Sequence, residues 1–266
     1  TTLDWLCDQG LVSDGSGRLF MRAVKLFIDG AMGSRGAALL SDYNDDPGNQ
    51  GLLFMPVEAL QADINKALAC GFQVGVHAIG DRGNRVALDA LEAAIPGHPS
   101  NPGRHRIEHA QTLTAADIPR FAELDVIAAM QPTHATSDMY WVEDRLGDQR
   151  VAYAYAWRKL LDAKARLALG SDFPVEQVNP MLGIHAAVTR QDSKGWPEGG
   201  WYAEERLKRV EAVRGFTLDA AYAAFMDDLV GTLEPGKRAD FIVLDQNLFE
   251  IDRSEEHTSE LQSQFR

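Results

Sequence analysis

The 266-residue chain has little cysteine, no excess of basic charge and no long apolar run. Each absence narrows what the protein is. Cys7 and Cys70 are too few for a disulfide framework and are in line with a reducing, cytoplasmic compartment. A net charge of -13 argues against a general nucleic-acid binder, which needs a basic face. It also argues against docking on an anionic membrane surface. No segment is apolar for long enough to span a bilayer. The opening TTLDWLCDQG lacks the basic, then apolar, pattern of a signal peptide, and it does not start with Met. The chain is therefore expected to begin inside a longer reading frame, and a signal peptide further upstream stays open.

What is present is core-forming. Hydrophobic residues make up 45% of the chain and aromatic residues 8%, enough for a large packed interior. The length permits one domain or two. Strand and helix patterns alternate along it. Strands are expected at 24–28, 72–79, 106–109, 126–130 and 166–170. Helices are expected at 56–69, with Pro56 in the first turn, at 84–95, from Thr114, at 151–163, at 180–189 and at 217–225. A turn at Pro235-Gly236 leads into a last strand at 241–244. Such alternation implies a parallel sheet. Five strands fit a doubly wound sheet or part of a (β/α)₈ barrel, which needs eight.

The polar residues at the strand ends say more. Lys25 interrupts an otherwise apolar strand, AVKLFI. His77 lies near the end of the next strand, His109 ends the third, and Asp172 follows the fifth. Side chains from several strand ends converge where a parallel sheet presents its carboxyl edge. Two imidazoles, a carboxylate and a lysine there suit a divalent ion such as zinc. Taken singly, His77 fits a bonded core histidine, His109 a partner of Glu108, Asp172 a turn residue and Lys25 a snorkelling side chain. One metal site accounts for all four together. Burial lowers the pKa of a lysine, and the neutral amine can take up carbon dioxide as a carbamate, which binds metal as a carboxylate does. Gly30, Gly33 and Gly36 form a glycine-rich turn and not a phosphate loop, because GxxxxGK[ST] is absent.

VKLFIDGAMGSRGAAL, VGVHAIGD, RIEHAQ, MQPTH, GSDFPVE and GTLEPGKRADFIVLD, in that order, resemble the metal-dependent amidohydrolase superfamily, in particular amidohydrolase family 3, the YtcJ-like branch. The resemblance runs from about residue 22 to 252. It implies an α/β fold, a (β/α)₈ barrel that is incomplete here, over residues 1–225. It implies that residues 226–252 are strands of a small β-sandwich. It implies one or two metal ions, usually zinc, with carboxylated Lys25 bridging. His77 and His109 would bind the second metal. Asp172 would bind the first and act as general base, and His134 would lie close to the substrate or be a polar loop residue. His98, His105, His185 and His257 match no ligand and are left to packing or surface. Trp141, Trp157, Trp196 and Trp201 would either line an apolar pocket or pack.

The implied reaction is hydrolysis of a non-peptide carbon–nitrogen bond, in an amide or an N-acyl or N-formyl compound, by metal-activated hydroxide. The implied partner is a small amide substrate. Oligomeric state is left open, a homodimer of the longer protein being one arrangement. Two departures stand beside the resemblance. The His-x-His of the family's first barrel strand is absent, and residues 253–266, RSEEHTSELQSQFR, resemble the translation of a sequencing adapter. These features lead to the expectation of a truncated, poorly active chain with a non-native tail. Two other readings remain: a barrel that binds without catalysing, and a barrel enzyme with different metal chemistry.

Overall fold

A computed structural model describes residues 1–16, 19–251 and, as backbone, 261–264. The chain enters through helix α1 (Thr2–Gln9), closed by a capping box between Thr1 and Asp4, and a two-strand hairpin, β1 (Val12–Ser13) with β2 (Phe20–Met21). Strand β3 (Ala23–Phe27) follows, then α2 (Val57–Ala69), β4 (Gln73–Ala78), α3 (Asp81–Ala94), β5 (Arg106–His109), α4 (Ile118–Glu123) and β6 (Ile127–Met130). Helices α5 (Pro132–Asp138), α6 (Val142–Val151) and α7 (Trp157–Asp162) lead to β7 (Leu167–Leu169). Helices α8 (Pro180–Thr189), α9 (Arg209–Phe216) and α10 (Leu218–Ala223) come next, then the antiparallel pair β8 (Ile242–Leu244) and β9 (Leu261–Gln264).

Strands β3 to β7 form one sheet in sequence order, and every pairing in it is parallel. The five expected strands are all there, within a residue or two of their expected ends. The architecture is α/β with a parallel central sheet, as in part of a barrel. The helices bury one face of it. Val24, Leu26, Val74, Val76, Ile107 and Ala128 pack there with Leu60, Ile64, Leu88 and Leu91 of α2 and α3.

Three expectations change. The first strand alternates: Val24 and Leu26 are buried, whereas Ala23, Lys25 and Phe27 are exposed on the opposite face. Lys25 therefore does not displace a core side chain, and Phe27 is not in the core. A period of two assigns the lysine to the other face of the sheet. The helix expected at 151–163 begins only at Trp157, because residues 152–156 turn away and Tyr155 has φ 52°. Cys7 and Cys70 are joined in a disulfide that ties α1 to the end of α2, which removes the support that free thiols gave to a reducing compartment. A separation of 63 residues carries no local signal of that pairing.

The carboxyl-terminal strands make a two-stranded ribbon rather than a sandwich among the described residues. Leu261–Gln264, within the stretch read as a non-native tail, pairs with Ile242–Leu244. The rest of that stretch, His257 included, lies outside the described residues. No helix among the described residues is long and apolar enough to cross a membrane.

Candidate metal centre

Parallel register sets the site. Lys25 pairs with Gly75, Phe27 with His77, and His77 with Glu108, so Lys25, Phe27, His77, Arg106 and Glu108 share the face away from the helices. Gly75 has no side chain for a reason: a Cβ there would lie 2.7 Å from Glu108 Oε1. His109 ends β5 at φ 79°, which breaks the extended alternation, and its ring meets His77 edge-on with centroids 4.6 Å apart. Asp172, just beyond β7, also has a left-handed backbone, φ 57°. Non-glycine residues in that region are uncommon and gather at functional sites.

His109, His134 and Asp172 converge, with one potential ligand atom from each lying within 4.8 Å of the others. His134 comes from the first turn of α5, directly after β6. Its ring stacks on His109 at 5.7 Å between centroids, and its Nε2 is 3.9 Å from Asp172 Oδ2. The sequence placed His134 beside the substrate; the structure sets it among the potential ligands. His77 flanks the cluster through its contact with His109. Lys25 Nζ lies over the Phe27 ring, 5.1 Å from its centroid, and feels the charges of Glu108 and Asp172.

The protonation states suit cation binding. Burial pushes His77 and His134 down to about 4, with His109 a further lowering influence on each. Burial also lowers His109, against a raising contribution from its bond to Gln131. All three imidazoles are neutral at pH 7 and have lone pairs to give. Desolvation lowers Lys25 as well, opposed by Glu108 and Asp172. The Nε2 atoms of His77 and His134 are buried without a hydrogen-bond partner. The orphaned Nε2 of His134, 3.9 Å from the Asp172 carboxylate, is a nitrogen that a divalent ion would satisfy; His77 Nε2 instead lies toward Asp29. Tetrahedral coordination with bonds of roughly 2.1 Å holds ligand atoms about 3.4 Å apart, so the three would close in by up to about 1.4 Å around an ion. The residues fit a divalent metal ion.

Two supporting residues were not apparent from sequence. Gln131 donates from Nε2 to the Ala129 carbonyl at 3.2 Å, which turns its Oε1 toward His109 Nδ1 at 2.8 Å. The Nδ1–H of His109 is thereby held, and Nε2 is left as the free lone pair. Asp29 is fully buried and accepts from the backbone N–H groups of Ala38, Ile79 and Gly80 at 2.9, 3.0 and 2.8 Å. Its Oδ1 is 3.7 Å from His77 Nε2. Burial pushes Asp29 up to about 6 in spite of the three amides. Asp29 thus ties the glycine-rich turn to the end of β4, where His77 sits. The pair Asp29-Gly30 read only as a turn.

Among the described residues, the other histidines and the four tryptophans named above have structural roles. His105 Nδ1 accepts from the Val74 N–H within the core, His98 bonds Asn65, and His185 is buried in α8. Trp157 and Trp201 sandwich the buried Arg190 guanidinium, so they pack and do not line a pocket. Trp196 stacks on Tyr140 at the surface, and Trp141 packs over Gly33.

Imidazoles and a carboxylate gathered at the carboxyl edge of a parallel sheet are the arrangement of a metal-dependent hydrolase. Residues 2–262 match the Amidohydrolase family, and the chain belongs to that family. It is 41% identical over 230 residues to protein LONG AFTER FAR-RED 3 of Arabidopsis thaliana, covering 86% of this chain and 39% of that one. It is 38% identical over 240 residues to the putative amidohydrolase YtcJ of Bacillus subtilis, covering 90% and 45%. An uncharacterized metal-dependent hydrolase from Pyrococcus horikoshii superposes with a TM-score of 0.83 at 34% identity, over 95% of this chain and 50% of that one. The chain spans half or less of the length of these relatives.

Proposed function

We propose that this chain carries the metal-binding half of a hydrolase that cleaves carbon–nitrogen bonds in small non-peptide amides, including N-acyl and N-formyl compounds. The observation that carries the reading is the convergence of His109, His134 and Asp172, with orphaned, neutral imidazole nitrogens on His77 and His134. Family membership supports hydrolysis. His77, His109, His134 and Asp172 would hold the ion, with a carbamate on Lys25 completing the set. A bound divalent ion supplies Lewis acidity, which lowers the pKa of water and polarises a carbonyl group.

The chain's own residues do the rest. Gln131 fixes the His109 tautomer and aims its free nitrogen. Asp29 anchors the strand end that presents His77. The Asp172 side chain is 40% exposed, so it can take a proton from water and return it to the leaving nitrogen. At β3 the Lys25 face of the sheet is open to solvent, with Lys25 and Phe27 exposed, which weakens the electrostatic interactions of Lys25. Turnover by the isolated chain is therefore expected to be low. Residues 226–252 are assigned to a small accessory β domain.

The test is product analysis of the zinc-loaded chain, incubated with N-formyl and N-acetyl amines, matched esters and dipeptides. Amine release from the amides, lost in Asp172→Asn, is the expected result. Cleavage confined to esters or dipeptides would contradict the reading.

A further inference from the structure

A cavity of about 470 Å³ lies between α5, α8 and the segment that follows Asp172, lined by near neighbours in sequence of His134 and Asp172. Thr133 and Thr136 flank His134 along α5, and Glu176 lies four residues beyond Asp172. Ser137, Tyr140 and Asp192 complete the polar part of the wall. None of the residues lining it is a lysine or an arginine.

The polar groups in this wall are oriented toward accepting. Glu176 Oε1 accepts from the Ser137 hydroxyl at 2.7 Å, which leaves its other oxygen for a ligand. Asp192 accepts from the Tyr140 hydroxyl and from the backbone N–H groups of Lys194 and Trp196, and these bonds hold its carboxylate ionised. The Lys194 charge also lowers Asp192, but its side chain is exposed and does not line the cavity. Thr133 Oγ1 is buried without a hydrogen-bond partner. Tyr140, which lines the cavity, stacks nearly parallel on Trp196, 8° apart with centroids 4.9 Å from each other. Both rings are about half exposed, so they offer a π surface beside two carboxylates.

We infer that this cavity receives a positively charged group of the substrate, an ammonium or guanidinium carried a few carbons from the scissile amide. The inference rests on the hydrolase reading for the identity of the bond, and on the cavity alone for the charge. Two carboxylates without a lining cation attract such a group by charge. The stacked rings add cation–π attraction. The same wall disfavours substrates that end in a carboxylate, such as N-acyl amino acids.

Three acetamides of similar length separate the possibilities: N-(4-aminobutyl)acetamide, N-pentylacetamide and 4-acetamidobutanoate. Binding to the zinc-loaded chain is measured by ligand-observed NMR, and acetate release is followed in the same tubes. The cationic compound should bind roughly tenfold more tightly than the neutral one, the scale of one or two partly screened charge pairs, and the anionic compound least tightly. Glu176→Gln keeps the acceptor for Ser137 and should remove most of that preference. Added salt should narrow it in the parent chain. Equal binding of all three, or an unchanged preference in Glu176→Gln, overturns the inference. Cationic preference without acetate release leaves the inference standing and overturns the hydrolase reading. Acetate release at equal rates from all three does the reverse.

Discussion

Gln131 Oε1 lies 2.8 Å from His109 Nδ1, and Gln131 itself is held by the Ala129 carbonyl. One amide thus fixes the tautomer of the most deeply buried imidazole in the cluster. Outer-shell partners of this kind typically account for 10- to 100-fold in metal affinity. Gln131→Leu is therefore expected to weaken zinc binding by about 10- to 100-fold, measured by competition with a chelator, while the fold is retained. Unchanged affinity would show that His109 is oriented by its own packing.

Acid should act on the metal-free chain through its buried histidines. His77, His105 and His134 are each held at about 4 by burial, whereas in the unfolded chain they titrate near 6.5. The folded state binds fewer protons across that range. The stability they confer is complete above about pH 6.5, falls as the pH falls, and is fully lost below about 4. Asp29 and Asp138, raised to about 6 by burial, act in the opposite sense and offset part of the loss. Urea midpoints should be lower at pH 4.5 than at pH 7. Three imidazole C2–H resonances should titrate below pH 5. Resonances that all titrate near 6.5 would contradict the buried placement.

Gly80 joins β4 to α3 directly under the glycine-rich turn. A Cβ at Gly80 would lie 1.9 Å from the Ala38 carbonyl oxygen. Backbone cannot yield as a side-chain tip can, so Gly80→Ala should cost about 1–3 kcal/mol and displace the Asp29 anchor. Gly97→Ala, with open space around it, should stay within about 0.5 kcal/mol. Chemical denaturation of the two variants makes the comparison.

The Cys7–Cys70 disulfide closes a long loop and holds α1 against α2. Replacing both cysteines by serine should lower stability by about 2–4 kcal/mol, read as a reduced urea midpoint. Alkylation should require prior reduction. Two thiols that alkylate in the untreated chain would rule the bond out.

The sheet was legible because parallel strands buried on both faces read as apolar runs: FQVGV and VIAAM could scarcely be anything else. His77, His109 and Asp172 were legible because a polar residue at the end of such a run has few structural reasons to be there. What escaped depends on distant pairings. Gln131 matters only because His109, 22 residues earlier, ends beside it. Asp29 resembles any turn aspartate until three backbone amides close on it. The exposure of Phe27 was not legible, because strong β propensity carries no information about which face is covered.

The most direct test of the account is zinc stoichiometry and affinity after dialysis, for the parent chain and for His109→Ala, His134→Ala, Asp172→Asn and His98→Ala. Zinc should bind the parent chain and His98→Ala equally, and at least about 100-fold more weakly in the other three, each of which removes a direct ligand. A parent chain that binds no zinc, or ligand variants that bind it as well as the parent does, would contradict the metal centre.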